Sequence, residues 1–176
     1  VDGGVAYIVG GSTSIEGEPR SSVAAVHATS GELMSWNPSP NSYVSELVAN
    51  SGTVYVAGGF TTIDGQARSG VAALDGTTGV ATPWDPGIAP DGVQAIAIGP
   101  NRVYVGGQFS ICNSVPRRGL AAINALTGAA TSWNPELNGP VYDLAVHGTG
   151  LYAGGFFTSA SGEVRSNAAA WELGSG

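Results

Sequence analysis

Residues 54–86, VYVAGGFTTIDGQARSGVAALDGTTGVATPWDP, carry the pattern from which the rest of the chain is read. An alternating apolar run ends in Gly58-Gly59, followed by Phe60-Thr61. Then come a polar turn (Ile63-Asp64-Gly65-Gln66), Arg68, a small apolar run at 71–74, Thr78-Gly79 and Trp84-Asp85-Pro86. The same order recurs. Glycine pairs stand at Gly10-Gly11, Gly58-Gly59, Gly106-Gly107 and Gly154-Gly155, at steps of 48 residues. Trp36, Trp84 and Trp133 are spaced by 48 and 49, and Arg20, Arg68, Arg117 and Arg165 by 48, 49 and 48. A fixed period in the range of about 20–50 residues marks a solenoid, a propeller or an array.

Within one copy the pattern predicts four short strands. In the second copy they are 43–49, 53–58, 70–75 and 80–84, with turns at Asn50-Ser51-Gly52, 63–67 and 76–79. In the strand 53–58, Tyr55 and Ala57 share one face, Val54 and Val56 the other. Pro86 has no amide for a ladder and ends the fourth strand. The first copy offers 5–9, 22–26 and 33–36, and the third 93–98, 102–106, 119–124 and 129–133. The fourth offers 140–146, 151–154 and 167–173, making 14 strands in all. Short strands with tight turns build a sandwich or a propeller, and a fixed period favours propeller blades. The expectation is an all-β chain: a β-propeller, or part of one, of four-stranded antiparallel blades. It forms a single repeat region over 1–176, with copies at about 1–42, 43–92, 93–139 and 140–176.

The first copy lacks its first strand and the fourth its last, so neither end completes the other within one blade. Open strand edges seek partners. The reading therefore points to the remaining blades of a longer chain, or to self-assembly.

Composition narrows the function. The net charge is −7, all six basic residues are Arg, and charged residues make up only 11%. Nucleic acid needs a basic cluster to displace counterions, and an anionic membrane surface needs one too. Neither partner is expected. No run of about 18 apolar residues suits a membrane helix. The 28 glycines and 10 prolines are periodic and separated by apolar runs, which fits turns between strands. Cys112 is the sole cysteine, so no disulfide framework holds the fold. Val1-Asp2-Gly3-Gly4 already reads as a turn and not a leader, so a mature product or a segment is expected. Low charge with Ser, Thr, Asn and Gly cover suits a secreted or surface-exposed protein.

The phrases VYVAGGFTTIDGQAR (54–68) and LAAINALTGAATSWNP (120–135) resemble the bacterial delta-60-type β-propeller repeat. The resemblance runs from Val5 to Leu173 through the Gly-Gly-x-Phe-Thr, Arg, Thr-Gly and Trp-Asn-Pro elements. It implies tandem blades on a secreted or surface protein and no general catalytic motif. Ser12 departs by replacing the Phe, His27 and Asn124 by standing where Asp75 stands, and Asp85 by replacing Asn37 and Asn134. Kelch repeats are more distantly similar, but the nine residues from Asp75 to Trp84 exceed their spacing. Quinoprotein blades share a run like 73–79 leading to Trp84. The five residues from Gly79 to Trp84 are one more than that motif shows, and the chain has no Lys for the cofactor constellation. No cofactor is expected.

Residues that recur in every copy are expected to serve the repeat. The recurring Trp would pack between copies rather than stack on sugars, and Trp171, outside that series, is expected in the core. The recurring Arg would cap turn carbonyls or pair with a carboxylate rather than ring an anion site. The Gly pairs open no helix, so they hold no phosphate. Residues that break the repeat are the better functional candidates: His27, His147, Cys112, Asn113, Arg118 and the insertion at 88–92, from Ile88 to Gly92. Two His without Cys or clustered carboxylates make a weak metal site. The turns at 15–18 and 63–65 lack the carboxylate density of a calcium loop. Cys112, without a His partner, is expected to be a small semi-buried side chain and not a nucleophile. No catalytic or metal residue is assigned. The leading expectation is a non-enzymatic scaffold presenting loops to protein or glycan. Alternatives are a propeller segment of an extracellular oxidase or lyase, and a structural subunit whose open edges pair into a ring or fibre.

Overall fold

The structure, a computed structural model, describes residues 1–88 and 92–173. Its strands are all antiparallel, and no helix occurs among the described residues. The chain divides into two compact units, 1–85 and 86–176.

The first unit opens with β1 (Val5–Val9), β2 (Ser14–Ile15), β3 (Glu18–Pro19) and β4 (Val23–His27). It continues with β5 (Val44–Asn50), β6 (Thr53–Gly58), β7 (Thr62–Ile63), β8 (Gln66–Ala67) and β9 (Val71–Asp75). The second unit begins with β10 (Val93–Ile98), β11 (Arg102–Gly107), β12 (Ile111–Cys112), β13 (Val115–Pro116) and β14 (Leu120–Asn124). It ends with β15 (Val141–His147), β16 (Gly150–Gly155), β17 (Ser159–Ala160), β18 (Glu163–Val164) and β19 (Ala168–Glu172).

Three copies form three-stranded sheets, β5-β6-β9, β10-β11-β14 and β15-β16-β19, while the first forms the pair β1-β4. Central β6 and β11 are buried on both faces from their second residue on. A small hairpin, such as β7-β8, follows β1, β6, β11 and β16, where the sequence predicts only a turn. Its corner residues Asp64 and Gly65 have φ of 51° and 67°. Paired positive φ values are what a two-residue hairpin with the strands' own twist requires. Glu16-Gly17, Asn113-Ser114 and Ser161-Gly162 repeat the geometry.

The expected fourth strand is not a strand. At 33–36, 80–84 and 129–133 pairing is confined to single bridges, Val26↔Leu33, Leu74↔Ala81 and Ile123↔Ala130. The reason lies one residue on. The carbonyls of Met34, Thr82 and Thr131 accept from Arg20, Arg68 and Arg117, and the Trp two residues later turns inward. The copies expected to be four-stranded thus hold three paired strands with a bridged flank in the second and third, and two with a bridged flank in the first. The 14 expected strands become eleven longer strands and eight two-residue ones among the described residues.

Strands β5, β10 and β15 each shift register, between Val44 and Glu46, Val93 and Ala95, and Val141 and Asp143. The extra residue of a β-bulge breaks even alternation. That is why Val44 and Leu47 fall three apart yet both serve the apolar side.

The ladder also corrects the glycine register. Val44, Val93 and Val141 pair with Gly58, Gly107 and Gly155, and Gly10, like these, donates its amide to the residue before the third strand. The repeated glycines are therefore Gly10, Gly58, Gly107 and Gly155. Gly11, Gly59, Gln108 and Phe156 share the next position, so the match of Gly106 to Gly58 is one residue out. A Cβ at Gly58, Gly107 or Gly155 would overlap the carbonyl oxygen of Tyr43, Gly92 or Pro140 respectively. At Gly10, where no first strand lies alongside, a Cβ would meet nothing within 4 Å.

Candidate functional site

The recurring Arg make a fork. Arg20 donates from its two terminal nitrogens to the Pro19 and Met34 carbonyls at 2.7 and 2.9 Å. Arg68 repeats this on Ala67 and Thr82, both at 2.7 Å, and Arg117 on Pro116 and Thr131 at 2.8 and 2.6 Å. Arg165 makes the first of these bonds, to Val164 at 3.0 Å. Each fork joins the hairpin to the flank of its own sheet. Arg20 and Arg117 are buried, so these charges face carbonyls and not an open channel.

The Trp-Asn-Pro segments reach onto the copy that follows. Trp36 stands edge-on to Tyr7, with ring centres 5.2 Å apart, and donates to the Asp75 carbonyl at 3.0 Å. Asp64 donates its amide to the Pro38 carbonyl. Asn41 accepts from the Thr61 and Thr62 amides at 2.9 and 3.1 Å and donates to Thr61 Oγ1 at 2.9 Å. The second unit repeats the clasp. Ser161 donates to the Pro135 carbonyl, and Asn138 bonds Thr158 and Ser159 as Asn41 bonds Thr61 and Thr62. Trp133 packs edge-on between Tyr104 and Trp171, with centres at 5.8 and 5.6 Å. Trp84 is buried edge-on to Tyr55, and Trp171 is only partly buried. Sequence reading missed Asn41 and Asn138. Their signal was a constant offset of five residues after Trp36 and Trp133.

The Thr-Gly element is a turn device. Asp75 Oδ1 accepts from the Thr77 and Thr78 amides at 3.0 and 2.7 Å and from Thr78 Oγ1 at 2.8 Å. These bonds, led by the Thr78 amide, hold its carboxyl below the usual value. Asn124 accepts from Leu126 and Thr127 in the same way, both at 2.9 Å. Gly79 and Gly128 complete the two turns with φ of 79° and 74°.

Among the repeat-breaking candidates, His27 lies in the first unit and His147 in the second, both exposed at strand ends. No cluster of three or more His, Cys, Asp or Glu able to hold a metal occurs among the described residues. Cys112 is fully buried, not semi-buried, because it occupies the core position of Ile63. Its Sγ lies 3.4 Å from the Pro86 carbonyl, and burial pushes the thiol to about 11, with Arg117 pulling the other way. Asn113 fastens the hairpin tip, donating from its side chain to the Gly128 carbonyl at 2.8 Å. Ile88 is buried and bridges to Cys112, whereas residues 89–91 of the expected insertion lie outside the described residues.

Arg118 differs. It stands where the other copies have Ser21, Ser69 and Ser166, and its guanidinium donates to the Asn138 carbonyl at 3.4 Å. It lines a depression of about 270 Å³ with Gln108, Ser110, Asn138, Gly139 and Pro140, floored by Phe109 and Gly119. Gln108, too, is polar where other copies carry Gly or Phe. Guanidinium, amide and hydroxyl groups beside Pro140 offer hydrogen bonds and a small apolar wall.

No family model matches this chain. No curated protein matches it either. Among solved structures it is similar to the crystal structure of the computationally designed Ika4 protein. The identity is 17% and the TM-score 0.60, over 86% of this chain and 79% of that one. It is also similar to the computationally designed Ika8 protein at 15% identity and TM-score 0.55, over 86% of this chain and 40% of that one. At such identities the likeness concerns the fold, and the chain is all-β with repeated antiparallel sheets.

Proposed function

We propose that this chain is a repeat region of a β-propeller, of the delta-60 kind, that serves as a non-enzymatic secreted or cell-surface scaffold binding protein or glycan. The propeller reading is supported by the 48- to 49-residue period and by sheets stacked copy on copy within each unit. One observation carries the binding reading. The recurring Gly, Arg and Trp are taken up by backbone approach, carbonyl forks and packing, whereas Gln108 and Arg118 break the repeat and meet at one depression beside Ser110, the counterpart of Thr61. Fold alone does not select among functions, so the side chains that the repeat does not need carry the inference. The low charge, 11%, with Ser, Thr, Asn and Gly cover supports the extracellular setting.

The test is a glycan array and a panel of immobilised surface proteins, probed with wild type and Arg118→Ala. The expected result is a binder whose signal falls at least tenfold in the variant while its melting temperature holds. A bound ligand retained equally by Arg118→Ala would refute this site.

A further inference from the structure

We propose that the exposed face of the fourth copy docks head-to-tail on the half-open face of the first copy of a second identical chain, around Ile8 and Ser12. The interfaces inside each unit show what such faces accept. In the second unit, Ala95, Ala97, Tyr104, Leu120 and Ala122 of the third copy are buried in one cluster with Val141, Leu144, Leu151 and Phe157 of the fourth. The ladder fixes their counterparts in the fourth copy as Asp143, Ala145, Tyr152, Ala168 and Ala170. All five are exposed. Tyr152 is 50% exposed, whereas Tyr104 is 2%. The fourth copy thus repeats the largely apolar, small-residue face that elsewhere seats the next copy, and among the described residues nothing covers it.

The first unit supplies the complement. The second copy receives the first through Val54, Val56, Ala72 and Leu74, with Phe60 and Ile63 at the hairpin. In the first copy the corresponding positions are Ala6, Ile8, Ala24 and Val26, with Ser12 and Ile15. Of these, Ile8 and Ser12 are exposed, Ala6, Val26 and Ile15 are half-buried and Ala24 is buried; Ile8 is 41% exposed where Val56 is fully buried. Ser12 stands where Phe60 fills the second copy, and a hollow of about 100 Å³ lies beside it, lined by Ile8, Val9, Ile15 and Ala24. Among the described residues no Trp-Asn-Pro segment lies on the Glu16-Gly17 hairpin tip, unlike its counterparts under Pro38 and Pro135. A second copy is the occupant that continues the interface already built within each unit. The contact joins two different patches, so it is heterologous and closes only as a ring. It goes beyond the ligand-binding reading and does not rest on it.

Size exclusion with light scattering on this 176-residue chain tests it. The expected mass is a discrete multiple of 17.5 kDa, and a monomer over the whole accessible concentration range would overturn the proposal. Tyr152→Arg and Ile8→Arg are each expected to give the monomer with an unchanged circular dichroism spectrum. If Tyr152→Arg fails to fold, Ala170→Glu probes the same exposed face. Mixing the two monomeric variants should restore association, since each brings one intact face to the other. A wild-type mass retained by either folded variant, or variants that fail to complement on mixing, would overturn the head-to-tail contact.

Discussion

Gly58 and Gly10 occupy one position of the repeat, yet their substitution should have opposite effects. Neither has the positive φ that would make glycine necessary for conformation. Replacing such a glycine by Ala stabilises by about 0.4–1 kcal/mol, because the unfolded chain loses freedom. That gain stands alone at Gly10, where a Cβ meets nothing within 4 Å. At Gly58 the new Cβ would overlap the Tyr43 carbonyl oxygen and sit 2.8 Å from the Val44 Cα. Both neighbours are backbone, held by the Gly59 amide bonded to the Tyr43 carbonyl at 3.0 Å, so β5 must move away from β6. Overpacking of this kind costs about 1–3 kcal/mol, and the rigidity of the neighbours places the cost at the upper end. The net effect is about −2 kcal/mol for Gly58→Ala against about +0.5 kcal/mol for Gly10→Ala. For a chain of this size that is a melting temperature lowered by roughly 4–8 °C in the first and raised by roughly 1–2 °C in the second. Differential scanning calorimetry of the two variants reads it directly. Equal melting temperatures would refute the assigned strand contact.

Three further outcomes follow from local geometry. Ser22 has a φ of 63° where Gly70 and Gly119 have 72° and 71°, so Ser22→Gly should stabilise by about 1 kcal/mol, and a lower midpoint in urea would contradict it. The Asp75 carboxyl is lowered on folding, so its stabilising contribution is complete above the unfolded carboxylate range and lost as pH falls through the folded value. The gap in melting temperature between wild type and Asp75→Asn should therefore narrow on acidification, and a constant gap would count against the turn bonds. Cys112, buried and pushed to about 11, should react with an aromatic disulfide reagent at neutral pH only after denaturant is added. Rapid labelling of the native protein would show its site to be open.

The repeat and its residue types were legible in the sequence because each repeated side chain does the same physical work in every copy. The fourth strand was not. Residues 80–84 alternate like a strand, but what stops the pairing is the distant Arg68 taking the Thr82 carbonyl, a contact that alternation does not encode. Adjacent glycines at 106 and 107 likewise hid Gln108, which belongs at the position of Gly59. The 49-residue steps from Arg68 to Arg117 and from Trp84 to Trp133 already carried the correct register. Arg118 was visible as a departure from Ser21 and Ser69, whereas its approach to Asn138 required the fold.

Arg117 and Arg118 are adjacent, and comparing their alanine variants by urea unfolding tests most directly whether recurring residues build the frame and departing ones are free of it. Arg117 is 8% exposed and spans the Pro116 and Thr131 carbonyls, so Arg117→Ala should lose about 3 kcal/mol at roughly 1.5–3 kcal/mol per charged bond, discounted for shared geometry. Arg118, exposed with one long bond, should change stability by less than about 0.5 kcal/mol when replaced by Ala. Equal losses in the two variants, or a larger loss at Arg118, would contradict the division between frame and site.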